Sequence, residues 1–167
     1  MKLDPRKVLR VAGSTRSYAL GELSVYHTPD WFPQDHPPMP PIVAQGRKPA
    51  WACAYCHGPE GEGVPATAAL TGLPKAYILE QLAAFRLGRR GASLPRTTQD
   101  MAHEARSLDE ADMRKAAMYF SGFSFRPETR VIETATVPKT HWEDFVLVPD
   151  REGARVPIGE RIIVTPA

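Results

Sequence analysis

The chain has 167 residues, of which 43% are hydrophobic and 24% charged, and this composition predicts a folded domain of ordinary size with or without extensions. The formal net charge of +2, without a Lys/Arg cluster, does not favour nucleic-acid binding. No apolar run approaches the roughly 18–20 residues that a bilayer requires, so we expect no transmembrane segment, and the N-terminus lacks the apolar stretch of a signal peptide.

Residues 1–40 are predicted to form a proline-rich, extended arm. The chain has 17 prolines against 12 glycines, and prolines recur closely between Pro29 and Pro41. Such a stretch is neither a helix interior nor a central strand, because each proline fixes φ and removes a backbone donor. We therefore expect a polyproline-like arm on a surface, with Trp31, Phe32 and Met39 as apolar anchors.

Residues 41–125 are predicted to form a helical domain. One helix should begin near Pro74, because proline is well tolerated at the first helical position, and Gly88 should end it. Its side chains directed towards the core are expected to be Tyr77, Ile78, Leu82 and Phe85.

A second helix is indicated by the tetrapeptide from Ser107 to Glu110. Serine followed three residues later by glutamate is typical of a capping box, in which each side chain satisfies a backbone donor of the first turn. The helix should stop before Gly122, and Met113 and Met118 inside it should be packing residues. Apolar residues at helical spacing predict its packed side: Leu108, Ala111, Ala116, Ala117 and Phe120.

Residues 126–167 are predicted to form an extended tail with some strand pairing. Short β-prone runs at 130–137, 145–148 and 161–164 are separated by proline, glycine and aspartate turns. We expect this tail to pack back on the helical domain.

The sequence contains one motif with reactive side chains, formed by Cys53, Cys56 and His57. Its spacing is that of a c-type haem attachment site. On a helical turn, residues i, i+3 and i+4 share one face. The two thiols can therefore meet the two vinyl groups on one edge of a porphyrin, and the histidine lies under the iron as proximal ligand. The motif occurs once, which predicts a single covalent haem.

The cysteine pair has three alternative interpretations. A thioredoxin-like redox pair should follow a strand in a βαβ unit, and no such strand is predicted before Trp51. A zinc site needs four ligands, and the chain offers two thiolates, His57 and a distant histidine such as His103. A chance occurrence of the pattern is the third alternative.

A sixth ligand to the iron is predicted at Met101. Methionine thioether is a common choice for this position, and Met101 falls in a predicted loop just before the last helix. Its alternative role is ordinary core packing, as for most methionines. His36 and Met39, in the arm, are the other candidate ligands.

With these pieces in order, residues 40–122 resemble a class I c-type cytochrome, and most of all one haem domain of the bacterial periplasmic dihaem cytochromes c. The resemblance rests on Cys53–Gly58, Ala69–Gly72, the helix with Gln81-Leu82, Phe85-Arg86 and Gly88-Arg89, then Met101 and the helix ending at Phe120. It implies a mainly α fold, with the helical domain built around one haem c. Class I domains also have a proline carbonyl that holds the proximal histidine, for which Pro65 is the candidate.

The resemblance implies a carrier of single electrons rather than an enzyme, either soluble or as a subunit of a redox complex, with redox proteins as partners. It also implies a periplasmic or otherwise extracytoplasmic location, because the thioether bonds form after export. Arg86, Arg89 and Arg90 could pair with the haem propionates, dock an acidic partner, or be solvated charges at a helix end. The alternatives are a haem enzyme or gas sensor with an open sixth position, and a structural or regulatory subunit.

Overall fold

The computed structural model describes residues 4–64, 67–90, 96–126, 130–143, 146–160 and 162–164. The helices are α1 (Pro41–Ala44), α2 (Cys53–His57), α3 (Lys75–Arg86), α4 (Arg96–Ser107) and α5 (Glu110–Phe120). The strands are β1 (Val8–Arg10), β2 (Ser17–Ala19), β3 (Thr136–Pro138), β4 (Thr140–Glu143), β5 (Val146–Pro149) and β6 (Arg155–Pro157). Within these ranges, no helix has the length and apolar character to cross a membrane.

The core lies among the helices, where α3 packs against α4 and α5, and α1 against α2 and α5. The prediction for α3 is confirmed at Ile78, Leu82 and Phe85, which are all buried in one hydrophobic cluster. Tyr77 is 42% exposed, and with Ile78, Leu82 and Phe85 it lines the cavity described below. Gly88 follows the end of the helix with a φ of +67°, as predicted.

The start of α5 differs from the predicted capping box. Asp109 is the N-cap, and its Oδ1 accepts a hydrogen bond from the Asp112 backbone N–H at 2.8 Å. Ser107 is instead the last residue of α4, where its hydroxyl donates to the His103 carbonyl at 3.0 Å. The prediction placed the cap two residues too early, because α4 continues directly up to the serine.

The packed face of α5 was predicted with two errors. Met113, Ala116, Ala117 and Phe120 are buried, whereas Ala111 lies on the exposed face. Met118, expected to pack, is 60% exposed, because it follows the buried Ala117 and is turned about 100° from it around the helix.

The helix α4 was not predicted, and Met101 lies within it rather than in a loop. Its segment is mostly polar, and the side that faces the core is built from small residues, with Ala102 and Ala105 buried. Met101, Ala102 and Ala105 are the apolar residues of this segment, and although they share one side of the helix, the low overall hydrophobicity favoured a loop.

The N-terminal part contains a small antiparallel sheet of β1 and β2, with Leu9 opposite Tyr18, which the sequence did not indicate. The Trp31 ring lies edge-on to Tyr18, with their centres 4.9 Å apart. Met39, beside α1, is partly buried and packs against the hydrophobic cluster of the helices.

The tail forms a nested antiparallel hairpin, with β3 paired to β6 at its base and β4 paired to β5 further out. Strand pairing is therefore confirmed at 136–137 and at 146–148. Residues 130–135 and 162–164, predicted as β-prone, have no strand partner and are irregular. Their apolar side chains are largely in solvent, with Val131 86% and Ile162 94% exposed. Phe145 and Arg161 lie outside the described residues.

Candidate functional site

The predicted attachment motif forms a helix of its own, α2. Ala54 is buried in the core cluster and fixes this helix against it, while Gly58, with a φ of +80°, ends it. Cys53, Cys56 and His57 all line a single cavity, as their i, i+3, i+4 spacing predicts.

The two thiols are close to the helical core and are not joined in a disulfide. Burial raises the pKa of Cys53 to about 12, and burial together with the Glu104 carboxylate raises that of Cys56. Both therefore remain neutral thiols near neutral pH, unlike the activated thiolate of a thioredoxin-like pair. Among the described residues, no group of three or more His, Cys, Asp or Glu side chains lies together as a zinc site would require.

His57 is held in the tautomer that a metal ligand needs. Its Nδ1 lies 2.8 Å from the carbonyl oxygen of Ala68. A carbonyl can only accept, so Nδ1 carries the hydrogen and Nε2 keeps its lone pair. Burial lowers the pKa of His57, although the Ala68 bond opposes this, and the imidazole is therefore neutral at neutral pH.

Among the described residues, the acceptor for His57 is thus Ala68; Pro65, the candidate named from the resemblance, lies outside them. The loop from α2 to this acceptor is fixed at two points. The Gly63 backbone N–H donates to the His57 carbonyl at 2.8 Å, and the Thr67 hydroxyl donates to the Cys56 carbonyl at 2.5 Å.

The same loop approaches α5 closely at Gly61, which has a φ of +80°. A Cβ atom at this position would lie 2.7 Å from Cδ1 of Phe120. The Gly61 carbonyl accepts from the backbone N–H of Leu70 at 2.6 Å, and Leu70 is thereby placed on the cavity wall. Glycine is required here both by the positive φ and by the neighbouring ring.

The cavity has a volume of about 1030 Å³, just above the roughly 300–1,000 Å³ typical of small-molecule sites. Its walls are largely apolar and include Leu70, Leu73, Ile78, Leu82, Phe85, Leu108, Ala116, Phe120 and Val148. Among the described residues that line it, His57 is the one histidine and Met101 the one methionine. His36 and Met39 are not among them. A flat apolar group with one central metal fits these walls and this donor set.

Met101 is half-buried and packs against the hydrophobic cluster. Its helix also brings Asp100 and Glu104 to the cavity. Glu104 Oε2 accepts a hydrogen bond from the Trp51 backbone N–H at 2.6 Å. Burial raises the pKa of Glu104, and the Trp51 bond opposes this rise.

The three arginines at the end of α3 have different surroundings. Arg86 is partly buried and already paired, since its Nη1 lies 2.5 Å from Glu110 Oε1 and its Nη2 donates to the Leu108 carbonyl at 2.7 Å. Arg89 and Arg90 are both exposed, but Arg90 lines the cavity and Arg89 is not among the described lining residues.

The position of Arg90 is fixed by two contacts. Its Nη1 donates to Gln81 Oε1 at 2.5 Å, and its guanidinium lies 4.8 Å from the centre of the Phe85 ring. Of the three arginines at the end of α3, Arg90 is therefore the one placed to pair with a negatively charged group in the cavity.

Several residues of the site were not found from the sequence. Ala68 acts through its backbone carbonyl and therefore leaves no side-chain pattern. Glu104 lies three residues after Met101, a spacing that would have indicated the same helix face if α4 had been predicted. Val148 reaches the cavity only through the tertiary fold.

The cytochrome c family model matches residues 43–122 of this chain. Among solved structures, reduced recombinant cytochrome c4 from Pseudomonas stutzeri is similar, with 29% identity and a TM-score of 0.44. That match covers 49% of this chain and 44% of the other, so it spans less than half the length of the relative. No curated protein sequence matched the chain.

Proposed function

We propose that the protein carries single electrons outside the cytoplasm, because residues 43–122 match the cytochrome c family and their Cys-x-x-Cys-His motif implies covalent haem c. It would act as a soluble carrier or as the electron-transfer subunit of a redox complex. The observation that supports this most directly is that His57 and Met101 line the same apolar cavity.

In this proposal Cys53 and Cys56 would hold the haem through thioether bonds, and His57 Nε2 and Met101 would be the protein ligands of its iron. When bound, haem supplies an iron centre that gains and loses one electron. The Ala68 carbonyl keeps the His57 lone pair directed into the cavity, since the Nδ1 hydrogen is engaged. The apolar walls keep water away, which favours the reduced iron and raises the reduction potential.

Arg90 is the proposed partner of a haem propionate. It lines the cavity, and its contacts with Gln81 and Phe85 hold its positive charge in a fixed position. Arg86 is already paired with Glu110 and is assigned a structural role.

The domain division that accompanies this function is an arm at 1–40, a haem domain at 41–125 and a tail at 126–167. A periplasmic or other extracytoplasmic location is part of the proposal, and it follows from the chemistry of the covalent attachment. Redox proteins are the proposed partners.

The test is a pyridine haemochrome spectrum of the purified holoprotein, followed by its ferric spectrum. We expect a c-type band at one haem per chain, and a low-spin ferric form with the weak charge-transfer band of methionine ligation. A high-spin ferric form without that band would instead support the enzyme or sensor with an open sixth position. Without any c-type band, the proposal fails.

A further inference from the structure

One side chain on the cavity wall comes from a part of the chain far from the rest. The other described lining residues fall between Trp51 and Phe120, whereas Val148 belongs to β5 in the C-terminal tail. The tail therefore reaches the proposed haem site.

The register of the tail hairpin (residues 136–157) shows which of its faces meets the cavity. Val148 is paired with His141, and the next pair is Leu147 with Trp142. Neighbouring pairs point to opposite faces of a two-stranded sheet. Val148 lies on the cavity side, so Leu147 and Trp142 lie on the other face, where Trp142 is 66% exposed.

The end of β5 is fixed by Asp150. Its Oδ1 accepts from His141 Nδ1 at 2.7 Å, its Oδ2 lies 3.5 Å from Lys139 Nζ, and its backbone N–H donates to the Lys139 carbonyl at 2.8 Å. These bonds tie β5 to the start of β4. At the base of the hairpin, Val137 is 6% exposed. Val148 is thus carried by a braced hairpin rather than by a free chain end.

We propose that Val148 is a haem-contacting residue and that the tail hairpin forms one wall of the haem cavity, excluding water from that side of the porphyrin. This inference rests on the proposed function, since it assumes bound haem. An apolar side chain at the porphyrin keeps the local dielectric low, which favours the reduced iron. A carboxylate placed there would stabilise the ferric form by its charge.

The first test is the ¹H NMR spectrum of the reduced, full-length holoprotein. The Val148 methyl signals, assigned by their loss in Val148→Ala, should lie outside the ordinary methyl range because of the porphyrin ring current. The Leu147 methyl signals, assigned with Leu147→Ala, should lie within it. Val148 methyl signals at ordinary positions would overturn the inference.

The second test compares reduction potentials of matched variants on the two faces of β5. Val148→Asp should lower the midpoint potential, while Leu147→Asp should leave it at the wild-type value. If Val148→Asp fails to fold, Val148→Thr, which keeps the side-chain shape and adds a hydroxyl, should still lower the potential relative to Leu147→Thr. If the Val148 variant and the matching Leu147 variant have equal midpoint potentials, the inference is overturned.

These outcomes are separate from those of the proposed function. If the holoprotein has a c-type band and methionine ligation but ordinary Val148 methyl shifts, the proposed electron-carrier function stands and only the proposed role of the hairpin is rejected. If the protein lacks a c-type band or methionine ligation, the proposed function itself is rejected, whatever the Val148 signals show.

Discussion

The hydroxyl of Tyr119, on α5, lies 3.2 Å from Nδ1 of His36 in the N-terminal part of the chain. The same hydroxyl donates its hydrogen to the Pro59 carbonyl at 2.8 Å, so towards His36 it can only accept. Nδ1 also faces the Pro37 carbonyl at 2.9 Å, and Nε2 lies 3.1 Å from Asp30 Oδ1. Both ring nitrogens face acceptors, an arrangement that favours the doubly protonated imidazolium.

The pH dependence of stability follows from this site. Burial acts to lower the pKa of His36, but the bonds to the Pro37 carbonyl and to Asp30 outweigh it, so the pKa lies above its ordinary 6.5. The stabilisation is therefore complete below about pH 6.5 and is lost as the pH rises through the folded-state pKa. His36→Gln should lower the free energy of unfolding by about 1–3 kcal/mol at acidic pH, and by less at alkaline pH.

This prediction is measured by urea unfolding of wild type and variant at several values between about pH 5 and 8. His103→Gln is the control, because His103 is an exposed histidine of α4. A gap between wild type and His36→Gln that stays constant with pH would contradict the assignment of an imidazolium.

Met101 is expected to be the distal ligand. Met101→Ala should abolish the weak charge-transfer band of the ferric protein, give high-spin iron and lower the reduction potential, because the thioether stabilises the reduced state. Met118→Ala is the matched control, since Met118 is 60% exposed and does not line the cavity. A Met101→Ala protein that keeps the band would show that another residue ligates the iron.

Arg90 is expected to hold a propionate. Arg90→Gln should lower the midpoint potential, because removal of a positive charge near the haem favours the ferric form. Arg89→Gln, one residue away, exposed and absent from the described cavity lining, should change it little. The comparison is made by redox titration at low and high salt. Equal effects of the two substitutions would indicate a general charge effect and exclude a specific pairing.

Gly61→Ala is expected to be strongly destabilising. The positive φ costs an alanine about 1–2 kcal/mol, and the approach to Phe120 adds about 1–3 kcal/mol of overpacking. Gly88→Ala has a similar φ of +67° with no atom within 4 Å of the added Cβ, so only the first of these costs applies. Thermal unfolding of both variants separates the two contributions, and equal losses would contradict the Phe120 contact.

The parts of the molecule that the sequence predicted are those with local determinants. The placement of Cys53, Cys56 and His57 follows from helical spacing alone, and α3 follows from the stripe that ends at Phe85. The helix α4 was missed because its segment is mostly polar, with few apolar residues to reveal its packed side, and its omission left Met101 in a predicted loop. The first sheet was missed because strands such as Val8–Arg10 are too short to show an alternating pattern.

The remaining parts depend on contacts between distant segments. Nothing near Ala68 in the sequence indicates that its carbonyl is the one that meets His57, since any residue would supply the same group. The cavity contact of Val148 depends on the path of the whole tail. Met118 is hydrophobic but lies about 100° around the helix from the buried Ala117, so its hydrophobicity alone predicted burial wrongly.

The hydrogen bond between His57 and Ala68 has a consequence for mutational robustness. Its acceptor is a backbone carbonyl, so no exchange of the Ala68 side chain deletes it, and the tautomer of the proposed ligand is protected from most point mutations at that position. Substitutions that change the backbone of the loop carrying this carbonyl are the ones expected to break the hydrogen bond. At Gly63, a Cβ atom would lie 2.8 Å from the Ala69 backbone nitrogen and 2.9 Å from the Thr67 carbonyl oxygen. The state of this imidazole therefore depends on a residue that has no side chain and does not touch the ring.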